Sequence, residues 1–138
     1  MRANEGEKVT VIMADMDGLK YINDNFCHPD GDEAIIAAGM ILKEALGPKA
    51  VVARLGGDEY CAFISGETRG GREFSNVIAN TIIRYNDIAK KPYMVDMSVG
   101  YCDFICNSKI DLEIMLKNAD VMLYDVKRKK KEKKKQQV

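Results

Sequence analysis

The sequence lacks the features that mark a membrane-spanning or exported chain. None of its apolar runs approaches the roughly 18 residues that a membrane span needs. Its opening, MRANEGEKVT, has no apolar core of the kind found in signal peptides. The four cysteines form no CxxC pair and no zinc-type spacing. We therefore expect a cytoplasmic domain with reduced thiols, with Cys61 and Cys102 buried in strands. A Cys102–Cys106 disulfide and a membrane anchor in a longer full-length protein stay open as alternatives.

The common phosphate-binding signatures are also missing. Neither G-x-x-x-x-G-K nor G-x-G-x-x-G occurs, so P-loop and Rossmann chemistry are not indicated. What remains is a chain of 138 residues, of which 46% are hydrophobic and 30% are charged. This size and composition suit one globular domain with one core.

A formal net charge of zero conceals an uneven distribution of charge. Residues 127–138, KRKKKEKKKQQV, carry eight Lys/Arg and one Glu, a net charge of +7 that leaves the other residues at −7. Such a run is usually a solvated helix end that frays, and we predict a disordered lysine-rich tail over 129–138. The alternative is attraction to polyphosphate, nucleic acid or an anionic membrane. The lysine-rich run would attract each of these partners, so it does not distinguish between them. We predict no nucleic-acid partner.

Hydrophobic patterning predicts strands and helices in the order βααββαβα. Strands are expected over 8–14, over both arms of a hairpin at 51–64 and over 94–102. Helices are expected over 18–26, 32–46 and 72–89, and a final helix carries an apolar face from Leu112 to Val126. A hairpin in mid-chain requires an antiparallel pair. We therefore predict an α/β (α+β) sandwich with a central, mostly antiparallel sheet flanked by helices.

Acidic residues lie at the ends of two predicted strands. Asp15 and Asp17 end the first strand, and Asp58 and Glu59 lie at the hairpin tip. If these strands are neighbours, the carboxylates converge, and two of them about 4 Å apart repel by roughly 4 kcal/mol at an effective dielectric near 20. Such a cluster needs protons, basic partners or a divalent cation, and oxygen ligands favour Mg²⁺, Mn²⁺ or Ca²⁺ over zinc. The alternative is that Asp15 and Asp58 only cap local turns.

Two glycines, Gly56 and Gly57, precede the hairpin acids. Glycine supplies the positive φ that tight hairpin loops need. It also allows phosphate oxygens to approach the backbone N–H groups closely. A Gly-Gly-Asp-Glu turn opposite an Asp-x-Asp strand end therefore outlines a metal–triphosphate site.

Four segments, in order and at matching spacing, resemble the diguanylate cyclase (GGDEF) family. RLGGDEY resembles the GG(D/E)EF signature, and VIMADMDGLKYINDNFCHPDGDEAI resembles the stretch DxDxFKxxND-x-x-GH-x-x-GDxxL. MSVGY and NADVMLYDVK resemble the family's SIG strand and its closing ADxALYxAK helix, so the resemblance covers about residues 9–128. It implies a palm-like nucleotidyl cyclase domain over 1–128. Such a domain condenses two GTP molecules into cyclic di-GMP and two pyrophosphates.

The resemblance implies a metal site and a catalytic acid. Asp15, the carbonyl of Met16 and Asp58 would bind Mg²⁺ or Mn²⁺, with two ions per site. Asp58 and Glu59 are the implied catalytic residues, because Glu59 matches the acid that helps to deprotonate the attacking 3′-hydroxyl. Asp17 is expected to contact the residues that bind the metal ions rather than the ions themselves.

The resemblance also implies a guanine reader and phosphate contacts. Asn23 and Asp32 match the pair that reads the base, and a carboxylate suits the N1–H and N2–H₂ edge that adenine lacks. The other implied substrate-binding positions are Lys20, Gly56, Gly57, Lys127 and Lys131. Each domain would hold one GTP, so catalysis needs a homodimer, which is transient for an isolated domain.

Departures from the family pattern define the competing interpretations. Tyr60 replaces the usual Phe, and the LTGL-x-NR segment ahead of the first strand is missing, as expected for an excised catalytic domain. A full-length protein would then carry an upstream sensor or dimerisation domain. The main alternative is a non-catalytic GTP-binding regulatory module, against which intact Asp58 and Glu59 argue. A third possibility is a relative that makes a different nucleotide linkage. Asp32 argues against this interpretation, because its carboxylate suits guanine.

Overall fold

Four strands and four helices follow one another in the predicted order in the computed structural model, which describes residues 5–107 and 111–136. The strands are β1 (Lys8–Asp17), β2 (Ala50–Gly56), β3 (Glu59–Ser65) and β4 (Asp96–Ile105). The helices are α1 (Leu19–Asn25), α2 (His28–Leu46), α3 (Gly71–Ala89) and α4 (Leu112–Gln136). The predicted α+β fold is confirmed.

The sheet has the order β2-β3-β1-β4, and each pair of neighbouring strands is antiparallel. β1 lies inside the sheet because its apolar residues are buried on both faces. Its register places Asp15 opposite Glu59 on β3 and Asp17 opposite Asp96 on β4. The hairpin tip therefore lies beside the end of β1.

The two faces of the sheet bury different helices. Ile12, Ala14 and Met16 point into the main core with α2 and α3. Because side chains alternate along a strand, the odd-numbered residues of β1 point to the opposite face. That face is covered by α4, whose Ala119 and Leu123 are buried. Gly100 on β4 makes this packing possible, because an added methyl group there would overlap the Ala119 carbonyl oxygen.

Several element boundaries differ from the sequence-based expectation. β1 continues to Asp17 instead of ending at 14, so the acids lie within a paired strand. α2 begins at His28 instead of 32, because Pro29 in the first turn has the fixed φ of a helix start. β4 runs over Asp96–Ile105 instead of 94–102.

The lysine-rich segment was predicted to be a disordered tail over 129–138, whereas residues 129–136 continue α4 as helix. Lysine has a high helix propensity. Arg128 and Glu132 also form an i,i+4 ion pair of 3.5 Å, which supports the helical conformation. Residues 137–138 lie outside the described part of the chain.

Cys102 carries a free thiol, so it forms no disulfide with Cys106, and the reduced state of the thiols stays a prediction. Cys61 is buried, and burial raises the pKa of its thiol. Cys102 is half-buried rather than buried, because β4 is an edge strand of the sheet. Among the described helices, none has both the length and the apolar character needed to cross a bilayer.

Candidate active site

The hairpin between β2 and β3 is tied to the end of β1. Gly56 and Gly57 have φ of +148° and +50°, values that side-chain-bearing residues rarely adopt. The backbone N–H of Met16 donates a hydrogen bond of 2.9 Å to the carbonyl of Asp58. The two acidic segments identified in the sequence are therefore neighbours, which is the condition on which the metal–triphosphate site was predicted.

Asp15 lies at the centre of this region and is buried, with 7% of its surface exposed. It faces α4, where the ammonium of Lys127 donates a hydrogen bond to Asp15 Oδ2. The other carboxylate oxygen, Oδ1, is buried and has no hydrogen-bond partner among the described residues. Burying an unpaired carboxylate oxygen is costly, so this atom suits a further cation.

Asp17 has a separate set of partners on the same face of the sheet. The hydroxyl of Ser98 lies 2.9 Å from both carboxylate oxygens, and Lys130 Nζ lies 2.6 Å from Oδ2. Lys130 also donates a hydrogen bond of 3.0 Å to the Met97 carbonyl and lies 3.6 Å from Asp96. Asp17 thus anchors α4 beside Asp15, and its supporting role at a metal site stays a prediction.

Lys130 is a site residue that the sequence reasoning missed. It lies three positions after Lys127, a spacing that places both side chains on one face of a helix. Helical spacing alone could have placed Lys130 on the same face as Lys127. The sequence did not single it out, because the segment contains eight basic residues.

A cleft of about 480 Å³ opens beside these ion pairs. Met16, Asp17, Gly18 and Asp96 form one wall, and the other wall consists of Lys127, Lys130, Lys131, Lys133 and Lys134. Burial lowers the pKa of the Lys127 ammonium, and the charges of Lys131 and Lys130 act in the same direction. The contact with Asp15 opposes this shift, because an opposite charge favours the charged form. A wall of five lysines provides a strong attraction for phosphate groups.

A second, smaller cavity of about 190 Å³ lies on the other side of Lys127. It is lined by Met13, Ala14, Asp15, Glu59, Asp120, Leu123, Tyr124 and Lys127. Glu59 is exposed here, directly opposite Asp15 across the β1–β3 ladder. The site therefore has an acidic side at Asp15 and Glu59 and a basic side in the lysine-lined cleft.

The predicted guanine-binding residues lie together on α1 and α2. A methyl group added at Gly31 would overlap the Asn23 side-chain amide, so that amide lies directly on the backbone next to Asp32. Asn23 is half-buried and Asp32 is exposed. Lys20 is exposed on α1. In the described part of the structure, its side chain forms no hydrogen bond or ion pair with the other predicted site residues.

Residues 5–107 and 111–136 contain no group of three His, Cys, Asp or Glu side chains close enough to hold a metal ion. Asp15 on β1 and Asp58 in the adjoining β2–β3 turn are neighbours, but in the described part of the chain they do not belong to a preassembled carboxylate cage. Their donor chemistry nevertheless fits Mg²⁺ or Mn²⁺, which bind through one or two carboxylates and complete their coordination with water and substrate phosphates. The unpartnered Asp15 Oδ1 agrees with this fit.

Comparisons with known proteins give the same assignment as the motifs. Residues 1–133 match the family described as "Diguanylate cyclase, GGDEF domain". The chain is 40% identical over 63 residues to the probable diguanylate cyclase DgcJ of Escherichia coli (strain K12), covering 46% of this chain and 13% of that protein. It is 27% identical over 129 residues to the cyclic di-GMP phosphodiesterase PdeB of Shewanella oneidensis, covering 92% of this chain and 15% of that protein. It thus spans less than a fifth of each of these relatives.

A solved structure from Pseudomonas aeruginosa (PAO1) has a similar fold. That structure, of a mutant of TpbB (YfiN) comprising only the GGDEF domain, superimposes with a TM-score of 0.73 at 25% identity. The match covers 89% of this chain and 73% of that one. Together with the family match over residues 1–133, this shows that the chain belongs to the GGDEF-domain family of diguanylate cyclases.

Proposed function

We propose that this domain is a metal-dependent diguanylate cyclase, which condenses two GTP molecules into cyclic di-GMP across a homodimer. The observation that carries the proposal is the position of Lys127 between a pocket containing Asp15 and Glu59 and a lysine-lined cleft. A nucleotidyl transfer needs both an acidic side for metal and proton transfer and a basic side for the triphosphate. The similarity to DgcJ supports the proposal.

The chain's own residues have distinct roles in this reaction. Asn23 and Asp32 bind the guanine base, Lys127 and Lys131 bind phosphate oxygens, and the Gly56-Gly57 turn leaves room for the phosphates. Two Mg²⁺ or Mn²⁺ ions, when bound by Asp15, the Met16 carbonyl and Asp58, would neutralise charge on the attacking and leaving oxygens. Lys131 lines the cleft that would hold the phosphates, and Lys20 is proposed as a further phosphate contact from the family resemblance.

Glu59 accepts the proton of the 3′-hydroxyl of the bound GTP. The 3′-oxygen then forms a bond to the α-phosphorus of the GTP on the facing domain, and the bond from that phosphorus to the pyrophosphate breaks. The same exchange in the other direction closes the ring and releases the second pyrophosphate. The reaction depends mainly on positioning and electrostatic stabilisation. Because GTP and reduced thiols belong to the cytoplasm, we also propose a cytoplasmic location.

The test is incubation of the domain with GTP and Mg²⁺, followed by chromatography of the products. We expect cyclic di-GMP and two pyrophosphates for each product molecule. Asp58→Ala should abolish turnover, and Glu59→Gln should lower kcat by about 10²–10⁴-fold, the usual contribution of general acid–base catalysis. Formation of cyclic di-GMP at the wild-type rate by Glu59→Gln would rule out the proposed base.

Metal removal provides a prediction that does not depend on turnover. Without a metal ion the charges of Asp58 and Glu59 are not neutralised and Lys127 stays paired with Asp15, so GTP should bind more weakly in EDTA than with Mg²⁺. Calorimetry of the domain with and without EDTA measures this difference. Equal GTP affinity under both conditions would contradict the proposed metal site.

A second candidate function is a GTP-binding regulatory module without turnover. The similarity to a region of PdeB, which is named as a cyclic di-GMP phosphodiesterase, favours keeping this candidate. An upstream sensor or catalytic domain would then be the partner. Tight GTP binding without any cyclic di-GMP would support this candidate and contradict the cyclase.

A further inference from the structure

Two lysines on the same face of α4 contact the two acids of β1 in different ways. Lys130 has three partners, namely the Asp17 carboxylate, the Met97 carbonyl and Asp96. The recorded side-chain partner of Lys127 is Asp15. Lys130 is thus held firmly at the junction of β1 and β4, whereas Lys127 has a single side-chain partner within residues 5–107 and 111–136.

Lys127 is also the residue that the two cavities share. Its side chain lines both the smaller cavity with Asp15 and Glu59 and the larger lysine-lined cleft. About a third of the side chain, 35%, is exposed, so a rotation of its flexible stem can carry the ammonium from one cavity to the other.

A cation bound at Asp15 would lie within a few ångströms of the Lys127 ammonium, because both would use the same carboxylate. Its Oδ2 accepts from Lys127, and its Oδ1 is buried without a hydrogen-bond partner among the described residues. A divalent cation close to this carboxylate would also repel the ammonium, because like charges at a few ångströms repel strongly in a poorly solvated site. The ion and the Lys127 ammonium are therefore alternatives at Asp15.

We propose that Lys127 competes with the divalent cation for Asp15. The ammonium neutralises the buried carboxylate until the cation binds, and it then moves into the lysine-lined cleft, where it binds substrate phosphates. Cation binding and triphosphate binding are therefore coupled through one side chain. This inference rests on the proposed function, because it assumes that Asp15 is a metal ligand.

The test measures Mn²⁺ binding to the domain without nucleotide, by electron paramagnetic resonance of free Mn²⁺. Lys127→Gln should bind Mn²⁺ about tenfold more tightly than the wild type, within the roughly 5–150-fold range typical of coupled sites. Lys133→Gln is the matched control, because it removes the same charge from the same helix and lines the cleft without a recorded ion pair to Asp15. It should change the Mn²⁺ affinity less than twofold.

Asp15→Asn separates the two proposals. Loss of Mn²⁺ binding in Asp15→Asn, with unchanged or weaker binding in Lys127→Gln, would refute the competition and leave the metal site intact. Unchanged Mn²⁺ binding in Asp15→Asn would refute the metal site of the proposed function itself. Circular dichroism and thermal unfolding establish that each variant is folded.

A second readout measures the coupling directly. A GTP analogue with a methylene bridge between the α- and β-phosphates cannot release pyrophosphate, and it should raise the Mn²⁺ affinity of the wild type. In Lys127→Gln this increase should be smaller by the same factor, about tenfold, because no ammonium has to leave Asp15 before Mn²⁺ binds. An equal increase in both proteins would overturn the competition.

Discussion

Single residues of opposite charge reach the site from β1 and α4, and the period of the strand decides which of them meet. Asp15 and Asp17 are two positions apart, so both face α4. Lys127 and Lys130 are three positions apart, so both face the sheet. These two spacings produce two adjacent ion pairs, one nearly buried at Asp15 and one partly exposed at Asp17.

At this scale the acidic half of the site was predictable from the sequence. Lys127 was named through the family resemblance, but its pairing with Asp15 and the contact of Lys130 with Asp17 were not predicted. The Asp-x-Asp strand end and the Gly-Gly-Asp-Glu turn each carry a local signal, and the hairpin places them side by side. The choice of Lys127 and Lys130 from eight basic residues depends on the rotation of α4 about its axis. That rotation is set by packing on Gly100, which lies far away in the sequence.

Asp32→Ala should weaken the preference for GTP over ATP. Loss of an acceptor that pairs with the guanine edge costs about 1–3 kcal/mol, which corresponds to a roughly 5–150-fold change in the ratio of kcat/KM values. Glu33→Ala is the control, because it removes the adjacent carboxylate, which pairs with Lys91 at 2.7 Å. If Asp32→Ala retains the wild-type preference, Asp32 does not read the base.

Gly31→Ala should raise the KM for GTP while the domain stays folded. The added methyl group overlaps the far end of the Asn23 side chain, which can move away but then leaves its position beside Asp32. Asn23→Ala should have a similar effect, and the double variant should be no worse than either single variant. Additive effects of the two substitutions on KM would contradict this linkage.

Among the elements, α4 joins the core to the site. Its N-terminal half buries Ala119 and Leu123 on the sheet, and its C-terminal half carries the lysines. The apolar face of this helix was predictable from its spacing. Its continuation through Gln136 was not, because the lysine run carries a solvated pattern that is also typical of disorder.

Gly100→Ala should destabilise the domain through α4. The new methyl group would overlap the backbone of Ala119 and Leu123, which cannot move without shifting the helix. Overpacking of this kind typically costs 1–3 kcal/mol, which urea unfolding measures as a lower midpoint.

Gly39→Ala is the matched control for Gly100→Ala. Gly39 lies inside α2, and its added methyl group would meet the Tyr60 ring at an ordinary 3.5 Å. Alanine is the better helix former, so this variant should be as stable as the wild type or slightly more stable. Equal midpoints for the two variants would contradict the proposed contact between α4 and Gly100.

For the whole molecule, one domain carries one candidate guanine site, whereas cyclic di-GMP contains two guanosines. In the proposed reaction two domains must therefore face each other, and a chain with a net charge of zero has no net electrostatic attraction to a second copy. We therefore expect the encounter of two separate domains, rather than the chemical step, to limit the rate.

The rate of cyclic di-GMP formation should rise with nearly the square of the domain concentration. A leucine zipper fused ahead of residue 1 should give a linear dependence and a higher specific rate, because it raises the effective concentration of the second domain. The measurement is a dilution series of both proteins at saturating GTP. Constant specific activity of the unfused domain down to nanomolar concentration would refute the encounter model.

The contact between Asp15 and Lys127 also has a consequence for biosynthesis. The two residues are 112 positions apart in the sequence. The site is therefore complete only when the last helix has packed against the first strand. Contacts of such long sequence separation form late and slow the folding of a domain. During translation, the sheet residues leave the ribosome before the lysines do, and a nascent chain has no complete site. In the proposed cyclase, nucleotide turnover can therefore begin only after α4 has left the ribosome.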